Sequence, residues 1–392
     1  MEKRKQPPTT PTADDTHFKR LRSFPQEQPD TFPHHFHDGS SMSTIHSYHA
    51  GHILTPWLPL ISRPQDTYRT APPVAFTTTT VPNTPTRLQG HTAAVYTCAF
   101  SPSGRSIASA GADKSIYLWN MNGSGDHYGI IRGRHMGAIL DIHWSRAENM
   151  LVTACADGTC GAFEAQTGER ISTFKGHTAS VTCCTSTQIG PELTVSGSSD
   201  GSVKIWDHRA PGIAENITPL LHQYPPVSSI AISNANDIVF SAGSGHEIMA
   251  WDRRTKRVVY TLPGHMGAIT GIRLSPDGTR LLSSSMDNTL RIWNLGPYSD
   301  SSRRVQKVLQ GVVVQGMEEH WSRPAWSSDG LLVTSGGTNG KLMIWDTQAG
   351  HVLQTLSDHQ DCVHQVDFHP GERIVVSSSA DKTLALRSLR YL

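Results

Sequence analysis

The chain has 392 residues, and 34 Lys and Arg against 33 Asp and Glu give a formal net charge of +1. This balance argues against a globally basic nucleic-acid-binding protein. The sequence has no run of 18 apolar residues, and its basic, proline-rich start is not a secretory signal, so we expect a soluble intracellular protein without a membrane segment. The six cysteines show no paired framework, which favours a reducing compartment.

Residues 1–83 are predicted to form a disordered tail rich in Pro, His and Thr. Thirteen of the 24 prolines lie in the first 85 residues, and few apolar positions recur with any period. Such a segment cannot bury enough apolar surface to offset the entropy lost on ordering. Two short basic clusters in the tail are typical of nuclear-import signals or nucleic-acid contacts, and a merely solvated tail is the alternative. Their members are Lys3, Arg4, Lys5, Lys19, Arg20 and Arg22. Nuclear localisation is the expectation.

A repeated unit accounts for residues 84–392. Its most complete copy, the third, runs from Gly176 to Asp207 and places Asp200 23 residues after His177 and six residues before Trp206. The histidine is absent from copies four and six, which have Gly245 and Asn339 in place of the aspartate. The tryptophan position recurs at spacings of 42 to 52 residues, at Trp119, Phe163, Trp206, Trp251, Trp293, Trp345 and Arg387.

Each copy contains short alternating or apolar runs between Gly, Pro and Asp turns, the pattern of β-strands. A period of about 40 to 45 residues with Gly-His and Trp-Asp signatures is typical of a four-stranded propeller blade. The chain resembles the WD-repeat family over residues 88–392. This resemblance implies an all-β fold, a seven-bladed WD-repeat β-propeller spanning residues 84–392.

The resemblance also implies a hydrogen-bonded tetrad of His, Ser or Thr, Asp and Trp in each blade. A buried polar network is favourable only when every member is satisfied, so copies that lack a member are expected to be looser. The complete sets are His91, Ser109, Asp113 and Trp119; His177, Ser196, Asp200 and Trp206; and His265, Ser283, Asp287 and Trp293.

Strand counting predicts how the ring closes. The seventh copy ends with Thr383–Leu389 and has no outer strand after it, whereas Pro85–Gln89 forms a spare strand before the first copy. Pairing the two segments would remove two exposed sheet edges, which otherwise promote aggregation. We therefore expect Pro85–Gln89 to complete the seventh blade.

The sequence predicts no catalytic site, cofactor, metal site or small-molecule substrate. Ser, His and Asp recur together in nearly every copy, whereas a nucleophilic triad is needed once, beside a pocket and an oxyanion hole. Residues 336–340 are glycine-rich but lack the Lys-Ser/Thr of a phosphate-binding loop, and no HExxH or CxxC occurs. A binding protein is the expected class.

Several stretches resemble the WD-repeat subunits of the spliceosomal U5 small nuclear ribonucleoprotein (snRNP). They include Ser109–Asp113, Thr167–Arg170 and Ser285–Trp293. The resemblance implies a non-catalytic scaffold subunit that binds the large central spliceosomal protein and other U5 proteins in pre-mRNA splicing, with indirect or peripheral RNA contact.

Two other functions compete with this reading. A substrate receptor of a cullin-type ubiquitin ligase is indicated by the WDxR patterns at Trp206–Arg209 and Trp251–Arg254. A reader of chromatin peptides would need an acidic or aromatic central channel.

Partner-binding residues are predicted from their place in the repeat. One candidate position follows the Val or Ile that opens each innermost strand, and another precedes the tetrad aspartate; the alternative for each is ordinary packing between blades. Aromatic and Met side chains are enriched at interface cores. The predicted contact residues are Tyr96, Leu140, Met286, Trp321 and His364.

Overall fold

The computed structural model describes residues 84–121, 125–187, 189–209, 213–217, 224–296, 304–313 and 322–389. All of them belong to one unit of the chain, which begins at Gln65. They form seven four-stranded antiparallel sheets, the blades, with no α-helix in these ranges. The described part of the chain therefore contains no helix long and apolar enough to cross a membrane.

Strands are numbered in chain order, and within a blade they run from the innermost to the outermost. Blade 1 contains β2 (Val95–Phe100), β3 (Ser106–Gly111), β4 (Ile116–Asn120) and β5 (His127–Ile131). Blade 2 contains β6 (Ile139–Trp144), β7 (Met150–Cys155), β8 (Thr159–Glu164) and β9 (Arg170–Lys175). Blade 3 contains β10 (Val181–Ser186), β11 (Thr194–Ser198), β12 (Val203–Trp206) and β13 (Ile213–Asn216).

The remaining blades follow the same order. Blade 4 contains β14 (Val227–Ile232), β15 (Ile238–Gly243), β16 (Ile248–Asp252) and β17 (Arg257–Leu262). Blade 5 contains β18 (Ile269–Leu274), β19 (Arg280–Ser285), β20 (Thr289–Asn294) and β21 (Val305–Gln310). Blade 6 contains β22 (Ala325–Trp326), β23 (Leu332–Gly336), β24 (Leu342–Asp346) and β25 (Val352–Leu356). Blade 7 contains β26 (Val363–Phe368), β27 (Ile374–Ser379), β28 (Thr383–Ser388) and β1 (Thr86–Gln89).

The predicted ring closure is confirmed. Strand β1 pairs antiparallel with β28, and Leu88 lies opposite Leu384. Leu88 is buried in a cluster that joins blades 7 and 1 through residues such as Phe100 and Trp119. Because the first strand of the propeller completes the last sheet, both free edges disappear at this seam.

The core consists of layers between neighbouring blades. Apolar clusters combine residues from adjacent sheets, as where Trp251 of blade 4 packs with Val195 and Ile205 of blade 3. The tryptophans at the repeat position are fully buried: Trp119, Trp206, Trp251, Trp293 and Trp345. A single sheet could not bury both of its faces, so each blade depends on two neighbours.

A β-bulge recurs in the innermost strands. In six blades the register shifts at the second residue of the strand, as between Val95 and Thr97 in β2 and between Ile139 and Asp141 in β6. A bulge re-aims the side chain of the extra residue, here at Tyr96 and Leu140. The bulged residues in the other four blades are Thr182, Ser228, Thr270 and His364.

Removing the closing strand should be far more damaging than removing the tail. Deletion of residues 84–90 is expected to expose the edges of β28 and the apolar partners of Leu88, and so to give insoluble protein. Deletion of residues 1–70 should leave a folded propeller. The measurement is the soluble fraction and the thermal unfolding of the two truncations. Equal solubility would contradict the closure argument.

Candidate protein-interaction surface

The tetrads in blades 1, 3 and 5 are closed hydrogen-bond networks. In blade 1, His91 Nδ1 lies 2.8 Å from Asp113 Oδ2, and His91 Nε2 lies 2.8 Å from Ser109 Oγ. Trp119 Nε1–H donates to the same Ser109 Oγ at 2.8 Å. The sets headed by His177 and His265 have the same contacts at 2.7 to 3.1 Å.

The tetrad aspartate connects two loops on one face of the ring. In blade 3, Asp200 accepts backbone N–H groups from Thr178, in the loop before the innermost strand, and from Ser202, in the turn between the second and third strands. Burial alone would raise the pKa of Asp200, but hydrogen bonds from His177, Ser202 and these amides lower it below its usual value. We call the side formed by these two sets of loops the tetrad face. The networks hold its backbone in one conformation.

Incomplete copies satisfy their remaining polar groups in other ways. In blade 7, where Arg387 replaces tryptophan, its guanidinium makes a 2.9 Å ion pair with Asp358. In blade 6, Trp345 Nε1–H donates to the Gln310 carbonyl at 3.1 Å and not to the serine of its own repeat.

Blade 4 lacks both the histidine and the aspartate of the tetrad. Trp251 Nε1–H still donates to Ser241 Oγ at 2.8 Å. The ring of Tyr224 packs edge-on against Trp251 with centroids 4.9 Å apart. A Cβ at Gly245 would lie 2.8 Å from Pro225 Cγ, so the loop packing there leaves no room for an aspartate.

Among the described residues of the tetrad face, three methionines are the exposed apolar side chains. Met286 is 37% exposed, whereas Met136 and Met266 are 83% and 85% exposed. Met286 was predicted from its position just before the tetrad aspartate. The other two were not predicted, and they directly follow the tetrad histidines of blades 2 and 5. Their backbone N–H groups donate to the tetrad aspartates, which turns their side chains outward. The shared sequence His-Met-Gly-Ala was the available signal.

Other predicted contact residues are less exposed than expected. Tyr96 and Leu140 are half-buried, and Tyr96 makes an edge-on contact with His364 at a centroid distance of 5.1 Å. His364 itself is buried, which corrects its prediction as an exposed residue. The bulge residues Thr182 and Thr270 are also buried, because their hydroxyls donate to backbone carbonyls of the next blade. Trp321 lies outside the described residues.

One arginine crosses the central channel. Arg323 of blade 6 is 3% exposed, and its guanidinium makes a 2.7 Å ion pair with Asp141 of blade 2. It also donates to the Leu140 carbonyl at 3.1 Å and to the Thr182 carbonyl of blade 3 at 2.6 Å. The side chain therefore connects opposite sides of the ring.

The arginine is fixed at both of its ends. Its backbone N–H donates to the carbonyl of His364 in blade 7, and it forms an isolated parallel bridge with Gln365. Asp141 in turn accepts the backbone N–H of Cys184 in blade 3 at 3.0 Å. These contacts place a buried cation and its counter-ion across the channel at this level, whereas a chromatin-peptide reader would need an open acidic or aromatic channel.

Further along the innermost strands, the channel contains groups of mixed charge. Burial raises the pKa of Asp367 to about 6, an effect that Arg273 opposes. Burial and Arg273 lower the pKa of His143 to about 4, so this histidine is neutral at pH 7. These residues give the channel no strongly acidic surface.

The WDxR arginines lie on the other side of the ring. Antiparallel strands alternate in direction, so the turns after the third strands are opposite the tetrad face. Arg209 makes a 2.7 Å ion pair with Asp207 of its own turn, and its side chain is largely exposed. Arg254 is exposed, and its backbone N–H donates to Asp252. The basic clusters of the tail lie outside the described residues.

Comparison with known proteins agrees with this architecture. The sequence matches the family described as "WD domain, G-beta repeat" over residues 83–120, 129–161, 168–207, 256–294, 319–346 and 350–387. The chain belongs to the WD-repeat family. The unmatched interval between 208 and 255 contains most of blade 4, whose sheet is complete although its tetrad is not.

More specific similarity is to splicing proteins. The chain is 36% identical over 305 residues to the "U5 small nuclear ribonucleoprotein 40 kDa protein" of Dictyostelium discoideum, which covers 78% of this chain and 84% of that protein. The human protein of the same name is 36% identical over 303 residues, covering 77% and 83%. "Pre-mRNA-splicing factor cwf17" of Schizosaccharomyces pombe is 34% identical over 309 residues, covering 79% and 88%.

Replacing Arg323 should destabilise the whole ring. Arg323→Leu would leave Asp141 buried without its cation, at an expected cost of about 3 to 5 kcal/mol in the free energy of unfolding. Replacing both residues by Leu should recover part of that loss. The measurement is chemical denaturation, with the exposed Arg254→Leu as a control. A loss below about 1 kcal/mol, as at an ordinary surface site, would contradict this role.

Proposed function

We propose that this chain is a non-catalytic scaffold subunit of the U5 snRNP that binds the large central spliceosomal protein during pre-mRNA splicing. The observation that carries the proposal is the similarity to U5 40 kDa proteins, which extends over nearly the whole propeller and most of each relative. Other U5 proteins are expected partners, and RNA contact is expected to be indirect or peripheral. The proposal involves no cofactor, membrane or small-molecule substrate.

The tetrad face is the proposed contact surface. Its loops are held by hydrogen bonds to the tetrad aspartates, so binding would require little ordering of the backbone. Met136, Met266 and Met286 present flexible, polarizable side chains there, which adapt well to an apolar partner surface. Tyr96 and Leu140 add half-buried apolar surface at the mouth of the channel. A protein partner with apolar anchor residues suits these features.

Two methionines lie together in blade 5. Met286 N–H donates to the carbonyl of Ala268, and a Cβ on Gly267 would lie 3.4 Å from Met286 Cβ. The loop that carries Met266 therefore packs directly against the turn that carries Met286. A few clustered anchors usually dominate the affinity of an interface, which makes Met286 of this pair a first choice for mutation.

Purification of tagged full-length protein from nuclear extract tests the proposal. We expect spliceosomal RNA and one large scaffold protein to dominate the bound fraction. A cullin adaptor in their place would support the ubiquitin-ligase alternative through Arg209 and Arg254. Absence of the spliceosomal components would contradict the proposed function.

Charged substitutions locate the surface. Tyr96→Asp and Met286→Asp should each reduce recovery of the scaffold protein at least tenfold, because they place a carboxylate at an apolar contact, and should leave thermal unfolding unchanged. The matched control is Val259→Asp, since Val259 is an exposed apolar residue on the outer strand of blade 4. A lower unfolding temperature would assign Tyr96 or Met286 to packing between blades. Normal recovery with both variants would exclude the tetrad face.

The tail clusters are proposed to direct nuclear import. Changing Lys3, Arg4, Lys5, Lys19, Arg20 and Arg22 to Ala removes the positive charges that an import receptor would read. A fluorescent fusion of this variant should redistribute to the cytoplasm, which microscopy measures against the wild-type fusion. Unchanged nuclear accumulation would contradict the assignment.

A further inference from the structure

Blade 2 departs from the tetrad at the tryptophan position. Phe163 occupies it, with its ring edge-on to His135 at a centroid distance of 5.7 Å. His135 Nε2 still lies 2.7 Å from Thr153 Oγ1. His135 Nδ1, however, lies 3.5 Å from Asp157 Oδ2, against 2.8 to 3.1 Å in the complete tetrads. That separation is too long for a good N–H···O hydrogen bond.

The proton positions in a complete tetrad follow from its donors and acceptors. Trp119 Nε1–H is a donor only and Ser109 Oγ accepts from it, which leaves the single hydrogen of the hydroxyl to be donated to His91 Nε2. The imidazole proton lies on Nδ1, where the Asp113 carboxylate accepts it. Blade 7, where Arg387 replaces the tryptophan, keeps the short contact: His359 Nδ1 lies 2.9 Å from Asp381 Oδ2.

Blade 2 differs from these copies in its hydroxyl, which belongs to Thr153, and in its longer His–Asp distance. Thr153 Oγ1–H can donate to the carbonyl of Gly161, at 3.4 Å, and accept from His135 Nε2–H. This tautomer would leave Nδ1 with a bare lone pair facing the carboxylate of Asp157. Two acceptors in that arrangement repel each other unless a cation lies between them, which agrees with the longer separation.

A thiol completes the group. Cys155 Sγ, His135 Nδ1 or Nε2 and an Asp157 carboxylate oxygen all lie within 4.8 Å of one another. This is the one such group of three among the residues that the structure describes. His135 is 4% exposed, and its Nδ1 has no hydrogen-bond partner. We define these three residues as the blade 2 cluster.

We propose that the blade 2 cluster is a binding site for a divalent transition metal of the zinc type, with His135 Nδ1, Cys155 Sγ and an Asp157 oxygen as ligands. Tetrahedral zinc with bonds of the usual length separates N and O ligands by about 3.3 Å, close to the 3.5 Å between His135 and Asp157. The Asp157 side chain reaches solvent, so metal could enter there and water could supply the fourth ligand. This inference does not rest on the proposed splicing function.

The surrounding groups suit this chemistry. The hydrogen bond of His135 Nε2 to Thr153 would orient the ring and keep the metal-binding nitrogen unprotonated, the arrangement typical of metal-bound histidines. Two anionic ligands would balance the charge of the ion and offset repulsion from Arg170, whose guanidinium lies 5.2 Å from the Phe163 ring centroid. Binding would displace the Cys155 proton to solvent.

Sequence alone gave no indication of this site. Cys155 lies at the end of β7, Asp157 follows in the turn and His135 precedes β6, so their spacing matches no metal motif. At the position of Cys155 the third, fifth and seventh copies have Ser198, Ser285 and Ser379, whose hydroxyls accept the N–H of the tetrad aspartate. Cys155 Sγ accepts the N–H of Asp157 in the same way, at 3.4 Å. Serine is therefore a conservative replacement for it.

The test titrates full-length, chelator-treated protein with Co²⁺ as the probe. One equivalent should produce the near-ultraviolet absorption of thiolate bound to cobalt, and Zn²⁺ should remove it. Cys155→Ser should abolish this absorption, whereas Cys362→Ser, which alters a buried thiol in blade 7, should retain it. Cobalt bound by tail histidines would lack the thiolate band.

Two results would overturn the proposal. They are no thiolate band in wild-type protein and a band that survives Cys155→Ser with the variant folded by thermal unfolding. Loss of the band in Cys155→Ser, with retention in Cys362→Ser, supports it.

Discussion

A four-stranded sheet with two apolar faces is stable only between two others, and this requirement governs the whole molecule. It explains why the repeat tryptophans are fully buried, and why the first strand of the propeller lies in the last blade. Each blade is stabilised by packing against both of its neighbours, so the stability of one copy depends on the others. Copies four and six have lost tetrad members and still form complete sheets.

In the repeated polar networks, the groups that hold the loops are different from the side chains that point outward. The tetrads use their Asp, His and hydroxyl groups internally, which leaves the loops of the tetrad face rigid and their outward side chains free to vary. The methionines of blades 2 and 5 occupy such positions. The central channel, in contrast, is crossed by the ion pair of Arg323 and Asp141, and the proposed contact surface lies around the channel.

Substitutions at the tetrad positions change the polar contacts of a blade more than they change its sheet. Arg387 replaces an aromatic packing residue with an ion pair to Asp358, and Trp345 exchanges a serine partner for a carbonyl. Phe163 preserves the aromatic layer but removes one N–H donor, and in this blade the His135–Asp157 separation is longer than in the complete tetrads. A substitution that preserves packing can therefore accompany a change in the polar network.

The sequence by itself determined the blade count, the closing pair of strands and the membership of the complete tetrads. The blade count rests on strand periodicity and turn residues that repeat at a nearly fixed spacing. The tetrad roles came from the resemblance to the WD-repeat family, and the closing pair, which joins the two ends of the propeller, came from counting strands. The sequence also predicted that the side chain of Met286 is exposed, because the position before the tetrad aspartate lies in a turn of the repeat.

Only the tertiary structure decided which bulge residues are exposed and what fills the channel. Thr182 and His364 occupy the same repeat position as Tyr96, yet neighbouring blades bury them. Arg323 reaches the Leu140 carbonyl across 183 residues of chain and lies in the least regular copy, where no periodic signal points to it. Such contacts depend on which blades face each other across the ring. That geometry arises when the ring closes, and no single repeat encodes it.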